Sequence, residues 1–186
     1  MGFLEGYPDR EFLALGGGEA PTGYANYSHE RKVYFSDIGS VTLPETIDGI
    51  TDYSGSSGQP NESYYQGESS RIVFDWNNYH TAYMGKENKL YKSNDGGSSF
   101  YNIYSFGTNS NQRVLWIEQS RVNTQILYVQ QLQSSKSVLW KTVDGGINWS
   151  QVTLPLANQK YLNFTLSGTD ENGLWLSFTN GGNGSK

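Results

Sequence analysis

The chain has 186 residues, 13 basic and 18 acidic, and a formal net charge of −5 at pH 7. Its length is that of one ordinary domain, and the lack of any run of Lys or Arg argues against a protein that binds nucleic acid. No cysteine is present, which excludes a disulfide framework and a thiolate metal site. No apolar run approaches the ~20 residues of a membrane span, and residues 1–6 lack the charged start and apolar core of a signal peptide.

The first fifty residues predict short strands in an irregular pattern. Glu11–Leu15 is an apolar run closed by three glycines, which is typical of a buried strand that ends in a loop. Lys32–Gly39 resembles, in degenerate form, a stretch that recurs later in the chain, but it has no Asp-Gly-Gly and no closing aromatic. Val41–Pro44 has the same four letters as Val152–Pro155. We therefore interpret residues 1–50 as a degenerate copy of a unit that recurs later in the chain.

Residues 51–70 predict a long surface loop, because they are rich in Gly, Ser and Asn and too polar for a core. Three tyrosines occur in this segment, namely Tyr53, Tyr64 and Tyr65. A tyrosine offers a large contact area and a hydroxyl at a low cost in conformational entropy. These three side chains are candidates for stacking on a sugar ring or for contacting a protein partner; a solvated loop without a ligand is the alternative.

From Arg71 onward, short alternating runs predict three successive groups of strands and no helix. The first group has strands at 71–76, 80–85, 89–93 and 100–106. The second group has strands at 113–118, 125–132, 137–142 and 148–154. The last group has strands at 161–166 and 173–178 and stops before a third strand. Trp116, Trp140, Trp149 and Trp175 fall in or beside these runs and are predicted to pack between neighbouring sheets.

One stretch occurs twice in these groups, at Leu90–Phe100 and at Leu139–Trp149, 49 positions apart. Both copies read as an apolar residue, an aromatic residue and Lys, then Ser or Thr, any residue, Asp-Gly-Gly, two further residues and an aromatic. A fixed repeat of this length points to a solenoid, a propeller or an array. Asp-Gly-Gly between two apolar runs is a hairpin signal, because glycine takes a positive φ without steric cost.

The repeated stretch resembles the Asp box, also called the bacterial neuraminidase repeat. The resemblance is carried by Ser93, Asp95, Gly97 and Phe100 in the first copy and by Thr142, Asp144, Gly146 and Trp149 in the second. It implies a β-propeller in which each box joins the third and fourth strands of a blade. Sialidases, sortilin-type receptors and xyloglucan-degrading glycoside hydrolases share this box, and the style of the chain is similar to that of large secreted Bacteroidetes proteins. One fold hosts many activities, so the motif alone names none.

We therefore predict an all-β fragment of a β-propeller with four-stranded antiparallel blades and Asp-box hairpins. Its divisions are a degenerate blade at 1–50, a loop at 51–70, blades at 71–106 and 107–155, and an incomplete blade at 156–186. The remaining blades are expected in a part of the polypeptide that this sequence does not contain. A complete four-bladed propeller is the alternative.

Asp95 and Asp144 are predicted to have a structural role, although glycoside hydrolases commonly use a pair of carboxylates as catalytic residues. Equivalent positions in adjacent blades lie too far apart for the ~5–10 Å that such a pair requires. Arg71 and Arg113 open the innermost strands and are candidates for binding an anionic sugar. The alternative is that they only cap strand ends on a solvated rim.

No cofactor and no metal site are predicted. His29 and His80 are too few and too far apart for a metal centre, and the acids of the 51–70 segment match no calcium loop. The favoured function is a non-catalytic, secreted or cell-surface propeller that binds a glycan or an extracellular protein. The competing function is a fragment of a sialidase-like or xyloglucan-degrading glycoside hydrolase.

Overall fold

The computed structural model describes residues 23–25, 27–28, 32–35, 39–42, 72–97, 99–134, 136–155 and 161–179. These residues form thirteen β-strands and no helix, so none of them belongs to a helix that could cross a membrane. The expected strand at 11–15, the segment 51–70 and Arg71 lie outside the described residues. The strands are β1 (Gly23–Ala25), β2 (Lys32–Phe35), β3 (Gly39–Thr42), β4 (Val73–Phe74), β5 (Ala82–Lys86), β6 (Lys89–Ser93), β7 (Tyr101–Ser105), β8 (Val114–Gln119), β9 (Leu127–Gln133), β10 (Lys136–Thr142), β11 (Ser150–Gln151), β12 (Tyr161–Leu166) and β13 (Leu174–Thr179).

The strands form four sheets in which consecutive strands are antiparallel neighbours. The sheets have the orders β1-β2-β3, β4-β5-β6-β7, β8-β9-β10-β11 and β12-β13. The first strands of three sheets lie side by side, since β8 contacts both β4 and β12. Four-stranded antiparallel meanders that pack face to face around their first strands are the blades of a β-propeller. The chain is therefore an all-β propeller fragment, as predicted.

Most of the strands predicted from residue 72 onward agree with the structure within three residues. The expected fourth strand at 148–154 is shorter, because only Ser150–Gln151 pairs with β10. Beyond that pair, Val152 N donates to Leu139 O at 2.8 Å, and Val152 and Leu154 pack against a hydrophobic cluster. Pro155 follows and has no N–H to extend the ladder.

Strands β5, β9 and β10 each contribute to two interfaces, because successive side chains point to opposite faces of a sheet. In β5, Ala82 and Met84 join one cluster with Ile72 and Phe74, and the intervening Tyr83 joins another. The second cluster joins the sheets of β4–β7 and β8–β11 through residues such as Leu90, Phe106, Val114, Ile117, Leu127 and Val129. A third cluster joins β8–β11 to β12–β13. The alternation of the sequence therefore encodes a stack of sheets with apolar surface on both faces.

Aromatic rings fill the interface between the two four-stranded sheets. Phe106 lies 5.4 Å from Trp140 and 5.1 Å from Trp149, between ring centroids, and Tyr104 lies 5.8 Å from Trp149. The prediction that Trp140 and Trp149 pack between sheets is confirmed. Such pairs add about 0.5–1.5 kcal/mol each beyond the apolar area that they bury.

The same prediction is wrong for Trp116, which is 36% exposed. Trp175 is 71% exposed in this fragment, and its packing against a further blade stays a prediction. A register shift between Val114 and Trp116 interrupts the pairing of β8, and the indole of Trp116 donates to Glu118 Oε1 instead of packing in the core. Trp175 lies between Leu174 and Leu176, whose side chains occupy the packed face of β13. Alternation therefore turns Trp175 to the opposite face.

Candidate functional site

Three loops of identical length connect the first and second strands of the later sheets. They run over 75–81, 120–126 and 167–173, and in each the N–H of the first residue donates to the carbonyl of the seventh, at 2.8–2.9 Å. Asp75, Ser120 and Ser167 open the loops. The side-chain oxygen of each accepts the backbone N–H groups two and three residues later, at 2.9–3.2 Å. This turn is a local side-chain-to-backbone motif, and it fixes the same path three times.

The second position of these loops is occupied by Trp76, Arg121 and Gly168. The guanidinium carbon of Arg121 lies 4.0 Å from the centre of the Trp76 ring, which is a cation–π stack between adjacent blades. The third loop has no side chain at this position. A Cβ atom placed on Gly168 would meet no atom within 4 Å, so space is left beside the stack.

A cavity of about 400 Å³ occupies this region at the carboxyl ends of the inner strands. It is lined by Val73, Trp76, Glu118, Gln119, Arg121, Thr165, Leu166, Ser167 and Gly168. The lining therefore comes from three blades and from all three of the equivalent loops. Its volume is near the lower end of the ~300–1,000 Å³ that is usual for small-molecule sites.

Gln119 and Asp75 form a buried polar link between two blades beneath the cavity. Gln119 Nε2 donates to Asp75 Oδ2 at 2.7 Å and to Thr124 O at 2.8 Å, and Gln119 Oε1 accepts the N–H of Trp76 at 3.2 Å. The other carboxylate oxygen of Asp75 accepts two backbone N–H groups of its own loop. Both oxygens of Asp75 therefore have donors, and this carboxylate acts in positioning the loop and its Trp76.

Glu118 is the carboxylate that lines the cavity. Its Oε2 accepts the N–H of Leu166 at 2.9 Å, and its Oε1 accepts the indole N–H of Trp116 at 3.2 Å. These donors come from the next sheet and from the same strand, and they hold the half-buried carboxylate in one orientation. Hydrogen bonds to an ionised oxygen are among the stronger polar contacts in proteins.

The described ranges, with their gaps, contain no group of three His, Asp or Glu side chains that would hold a metal ion. His80 Nδ1 instead lies 3.1 Å from the hydroxyl of Ser28. The polar groups around the cavity are carboxylate, amide, hydroxyl and guanidinium. They suit hydrogen bonding to a polar organic ligand.

The two Asp-Gly-Gly turns lie beside the same loops and share three hydrogen bonds at equivalent positions. The hydroxyls of Ser93 and Thr142 each donate to the first carboxylate oxygen of the following Asp at 2.7 Å. Each hydroxyl also accepts the buried N–H of the second glycine, at 2.7 Å from Gly97 and 3.1 Å from Gly146. The first glycine donates to the neighbouring loop, from Gly96 N to His80 O at 2.7 Å and from Gly145 N to Gln125 O at 2.9 Å. Both turns therefore lie at the cavity end of their blades.

Glycine is required in these turns for two reasons. Gly145 and Gly146 have φ values of 70° and 99°, which L residues rarely adopt. A Cβ atom on Gly145 would also lie 2.8 Å from Gln125 Oε1, and one on Gly146 would lie 3.0 Å from Ile103 Cδ1. The closing aromatic then folds back over the turn, where Trp149 Nε1 donates to Gly146 O at 3.0 Å.

Asp144 is a strong acceptor in the second turn. The backbone N–H of Asn148 lowers its pKa most, the Thr142 hydroxyl and the Asn148 side chain add to the effect, and the result is a pKa of about 2. With the smaller contribution of the Ile147 N–H, four hydrogen bonds thus favour the charged carboxylate. They organise the hairpin and do not face the cavity lining.

The candidates named from the sequence are only partly placed. Arg113 precedes β8, and its carbonyl accepts the N–H of Leu132, so Arg113 lies at the opposite end of the blade from Glu118. It is absent from the lining of the cavity. Tyr53, Tyr64, Tyr65 and Arg71 lie outside the described residues. Their assignment to a binding site stays a prediction.

Trp76, Arg121 and Gly168 were not among the site residues predicted from the sequence. The signal was present, because Asn78 and Asn123 each lie three residues after the loop-opening residue and cap the loop in the same way. These loops are separated by 45 positions, whereas the Asp-Gly-Gly turns are separated by 49. A comparison at one fixed offset therefore finds the turns and not the loops.

The chain matches no protein-family model and no curated protein. Among solved structures, the GH74 enzyme of Niastella koreensis matches it with a TM-score of 0.56 and 18% sequence identity, over 76% of this chain and 22% of the enzyme. An ancestral GH74 enzyme matches with a TM-score of 0.47 and 13% identity, over 90% of this chain and 28% of the enzyme. The chain thus spans well under a third of the solved enzymes that it resembles. The first likeness is one of fold and agrees with the propeller architecture.

Proposed function

We propose that the chain is part of an exported Asp-box β-propeller that binds carbohydrate without cleaving it. The observation that carries this proposal is the cavity at the carboxyl ends of the inner strands. It combines one carboxylate, one guanidinium and a tryptophan that is 38% exposed, within about 400 Å³. Sugars are bound by polar groups that exchange hydrogen bonds with hydroxyls and by aromatic surface against the ring.

The two matched turns support the assignment of Asp boxes. A hydroxyl residue, an Asp and a glycine with positive φ hold each hairpin through the same bonds, and an aromatic residue packs behind. Their polar groups are directed at backbone atoms of the turn itself. A role in stabilising the blade accounts for all of these contacts, and none of them requires a ligand.

Binding is favoured over hydrolysis by the number of available carboxylates. Glycoside hydrolysis takes two carboxyl groups that face one glycosidic bond, about 5–10 Å apart. Glu118 is the one carboxylate among the described residues of the lining, and nearby Asp75 is engaged on both oxygens. A cavity with one available carboxylate and one guanidinium can bind a sugar but has no pair of carboxyl groups for acid–base catalysis.

A glycoside hydrolase is the second candidate, because the solved structures that resemble the chain are GH74 enzymes. The chain covers 22% of the length of that enzyme. In this case Glu118 would be one member of a carboxylate pair, and a part of the polypeptide beyond this sequence would supply the other.

Binding and hydrolysis are separated by one pair of measurements on the whole chain. Isothermal titration with soluble cello- and xylogluco-oligosaccharides measures binding, and the release of reducing ends measures hydrolysis. We expect saturable binding, no new reducing ends, and at least about tenfold weaker binding in Arg121→Ala. Arg113→Ala is the matched control, because it removes an equivalent side chain at the other end of β8.

Two results would decide against the proposal. A folded chain that binds no oligosaccharide at millimolar concentration would refute carbohydrate binding. Reducing ends that are lost in Glu118→Gln would establish the second candidate.

A further inference from the structure

The stack of Trp76 and Arg121 carries an inference about how the cavity is prepared for its ligand. The guanidinium carbon of Arg121 lies 4.0 Å from the centre of the Trp76 ring, and both residues line the cavity. Within the residues that the structure describes, the guanidinium has no hydrogen bond and no ion pair. An arginine side chain has a large rotamer entropy when nothing holds it. The position of Arg121 therefore depends on Trp76.

Trp76, in contrast, is held independently of Arg121. Its backbone N–H donates to Gln119 Oε1 at 3.2 Å, and its indole N–H donates to Gln119 O at 3.4 Å. Gln119 belongs to the neighbouring blade and is buried. Because these two bonds hold both the backbone and the ring of Trp76, the direction of the ring is set without the guanidinium. The dependence between the two residues thus runs from Trp76 to Arg121.

The side chain of Gln119 is in turn oriented by Asp75. Gln119 Nε2 donates to Asp75 Oδ2 at 2.7 Å and to Thr124 O at 2.8 Å, which leaves Gln119 Oε1 directed at the N–H of Trp76. A flipped amide would place its oxygen against two acceptors, so one orientation of this amide satisfies all of its partners. Asp75 is buried and is not part of the cavity lining. A continuous series of contacts therefore runs from this buried carboxylate to the wall of the cavity.

The link between a carboxylate and an amide occurs at the pair of blades that carries the stack. At the next pair, Ser120 opens the loop where Asp75 opens the preceding one. Leu166 ends the first strand of the last sheet, as Gln119 ends β8. Serine and leucine side chains cannot form the same hydrogen bond. A link that served only to join blades would be expected at both interfaces, so its occurrence beside the stack favours a role in the cavity.

We infer that Trp76 is a positioning residue that contributes to carbohydrate binding through Arg121, and that Asp75 and Gln119 keep Trp76 in place. The inference rests on the proposed function, since it assigns how the same cavity holds its donor ready. The N–H groups of a stacked guanidinium lie in its own plane and can still donate to a sugar oxygen at its edge. A side chain that is ordered before the ligand arrives loses less entropy on binding, which raises the affinity.

The test is a double-mutant cycle on Trp76 and Arg121. The probe is the cello- or xylogluco-oligosaccharide with the lowest Kd for the wild-type chain, measured by isothermal titration. We expect about fivefold weaker binding in Trp76→Leu and about tenfold weaker binding in Arg121→Ala. Because Trp76 acts through Arg121, the double variant should also bind about tenfold more weakly than the wild type. Independent effects would multiply to about fiftyfold, and that result would overturn the inference.

Trp76→Phe is the matched control for Trp76→Leu. Both changes remove the indole N–H that Gln119 O accepts, but Trp76→Phe keeps an aromatic face for the guanidinium. We expect Trp76→Phe to recover most of the affinity, with a Kd about twofold above that of the wild type. Equal losses in Trp76→Phe and Trp76→Leu would show that the ring face is dispensable and would contradict the inference. Circular dichroism and the thermal midpoint check that each variant is folded.

Asp75→Asn tests the buried end of the series. Its amide would present a donor to Gln119 Nε2, so Gln119 can no longer keep both of its present partners. We expect about threefold weaker binding in the wild-type background and no further loss in the Arg121→Ala background. A lower thermal midpoint with an unchanged Kd would confine Asp75 to a role in stability and would remove it from the inference.

A nuclear magnetic resonance spectrum of the wild-type chain tests the stack without any substitution. Protons that lie over the face of an indole are shifted upfield by the ring current. The side-chain protons of Arg121 should therefore resonate upfield of those of Arg113, which has no ring contact within the described residues. Equal shifts for the two arginines would show that Arg121 does not stack in solution, and the inference would fail.

The outcomes separate this inference from the function on which it rests. Binding by the wild-type chain together with fully multiplicative effects in the cycle overturns the inference alone. A folded wild-type chain that binds no oligosaccharide refutes the proposed function, and no role of Trp76 in binding then remains.

Discussion

The hydroxyl of Thr142 gives the sharpest test of how the Asp-Gly-Gly turns stabilise the protein. Thr142 is 1% exposed, and its Oγ1 accepts the buried N–H of Gly146 at 3.1 Å and donates to Asp144 Oδ1 at 2.7 Å. Thr142→Val keeps the volume and removes both of these contacts and the 3.3 Å hydrogen bond that Oγ1 accepts from the N–H of Asp144. Leaving a buried N–H without a partner costs about 1–3 kcal/mol, so we expect a loss of about 2 kcal/mol in the free energy of unfolding.

Thr142→Ser is the matched control, because it keeps the hydroxyl and removes one buried methyl group. Its expected cost is about 0.8 kcal/mol. Urea denaturation followed by tryptophan fluorescence measures both variants, and the thermal midpoint of Thr142→Val should fall by roughly 4–8 °C. Ser93→Ala repeats the test in the first turn, where Gly97 N–H would lose its partner.

A reversed order of stability for the two variants would refute this role of the Thr142 hydroxyl. If the side chain of Thr142 contributed only by packing, Thr142→Val would be close to neutral and Thr142→Ser would be the more damaging change. That result would show that the hydroxyl is dispensable and that the turn is held by its glycines alone.

Three other changes test the blades and the loop. The folded-state pKa of Asp144 is lowered to about 2, so its stabilising effect is present above pH ~4 and is lost as the pH falls toward 2. The urea midpoint of the wild-type protein should therefore fall between pH ~4 and pH ~2 by an amount that is missing in Asp144→Asn. Gln131 is fully buried and bonds to two backbone carbonyls and to the Trp140 indole, so Gln131→Leu should cost about 3 kcal/mol in urea denaturation, and a cost below 1 kcal/mol would contradict this. Replacing Tyr64 and Tyr65 by Ala should weaken binding on a glycan array without lowering the thermal midpoint, and the opposite pattern would make the loop structural.

The sequence predicts the blades well because two strong signals coincide in them. The alternation of apolar and polar residues determines which side chains share a face of a strand. Asp-Gly-Gly determines the turn that joins the third and fourth strands, as at Asp144. Both signals are local, so neither depends on knowing which sheets are neighbours. Trp175 shows the limit of this information: alternation places it on one face of β13, but only the packing of Leu174 and Leu176 tells which face is covered.

The cavity was not predictable for a different reason. It depends on contacts between residues in three separate blades, such as the Trp76–Arg121 stack and the bond from Leu166 N to Glu118. Its lining includes Gly168, and glycine in a loop is ordinarily interpreted as a turn residue. Recognition of this position requires that the three loops be aligned, and their unequal spacing hides that alignment.

The hairpins of the two complete blades differ in length in a way that has a consequence for insertions. Strands β5 and β6 have five residues each, whereas β9 and β10 have seven each, and two residues separate the strands in both cases. Adding two residues to a strand leaves every later side chain on the same face of the sheet. Adding one residue would move every later side chain of that strand to the opposite face. The hairpin between the second and third strands of a blade can therefore be lengthened in steps of two residues per strand. A single-residue insertion in one of these strands should disrupt the packing on both faces of the sheet.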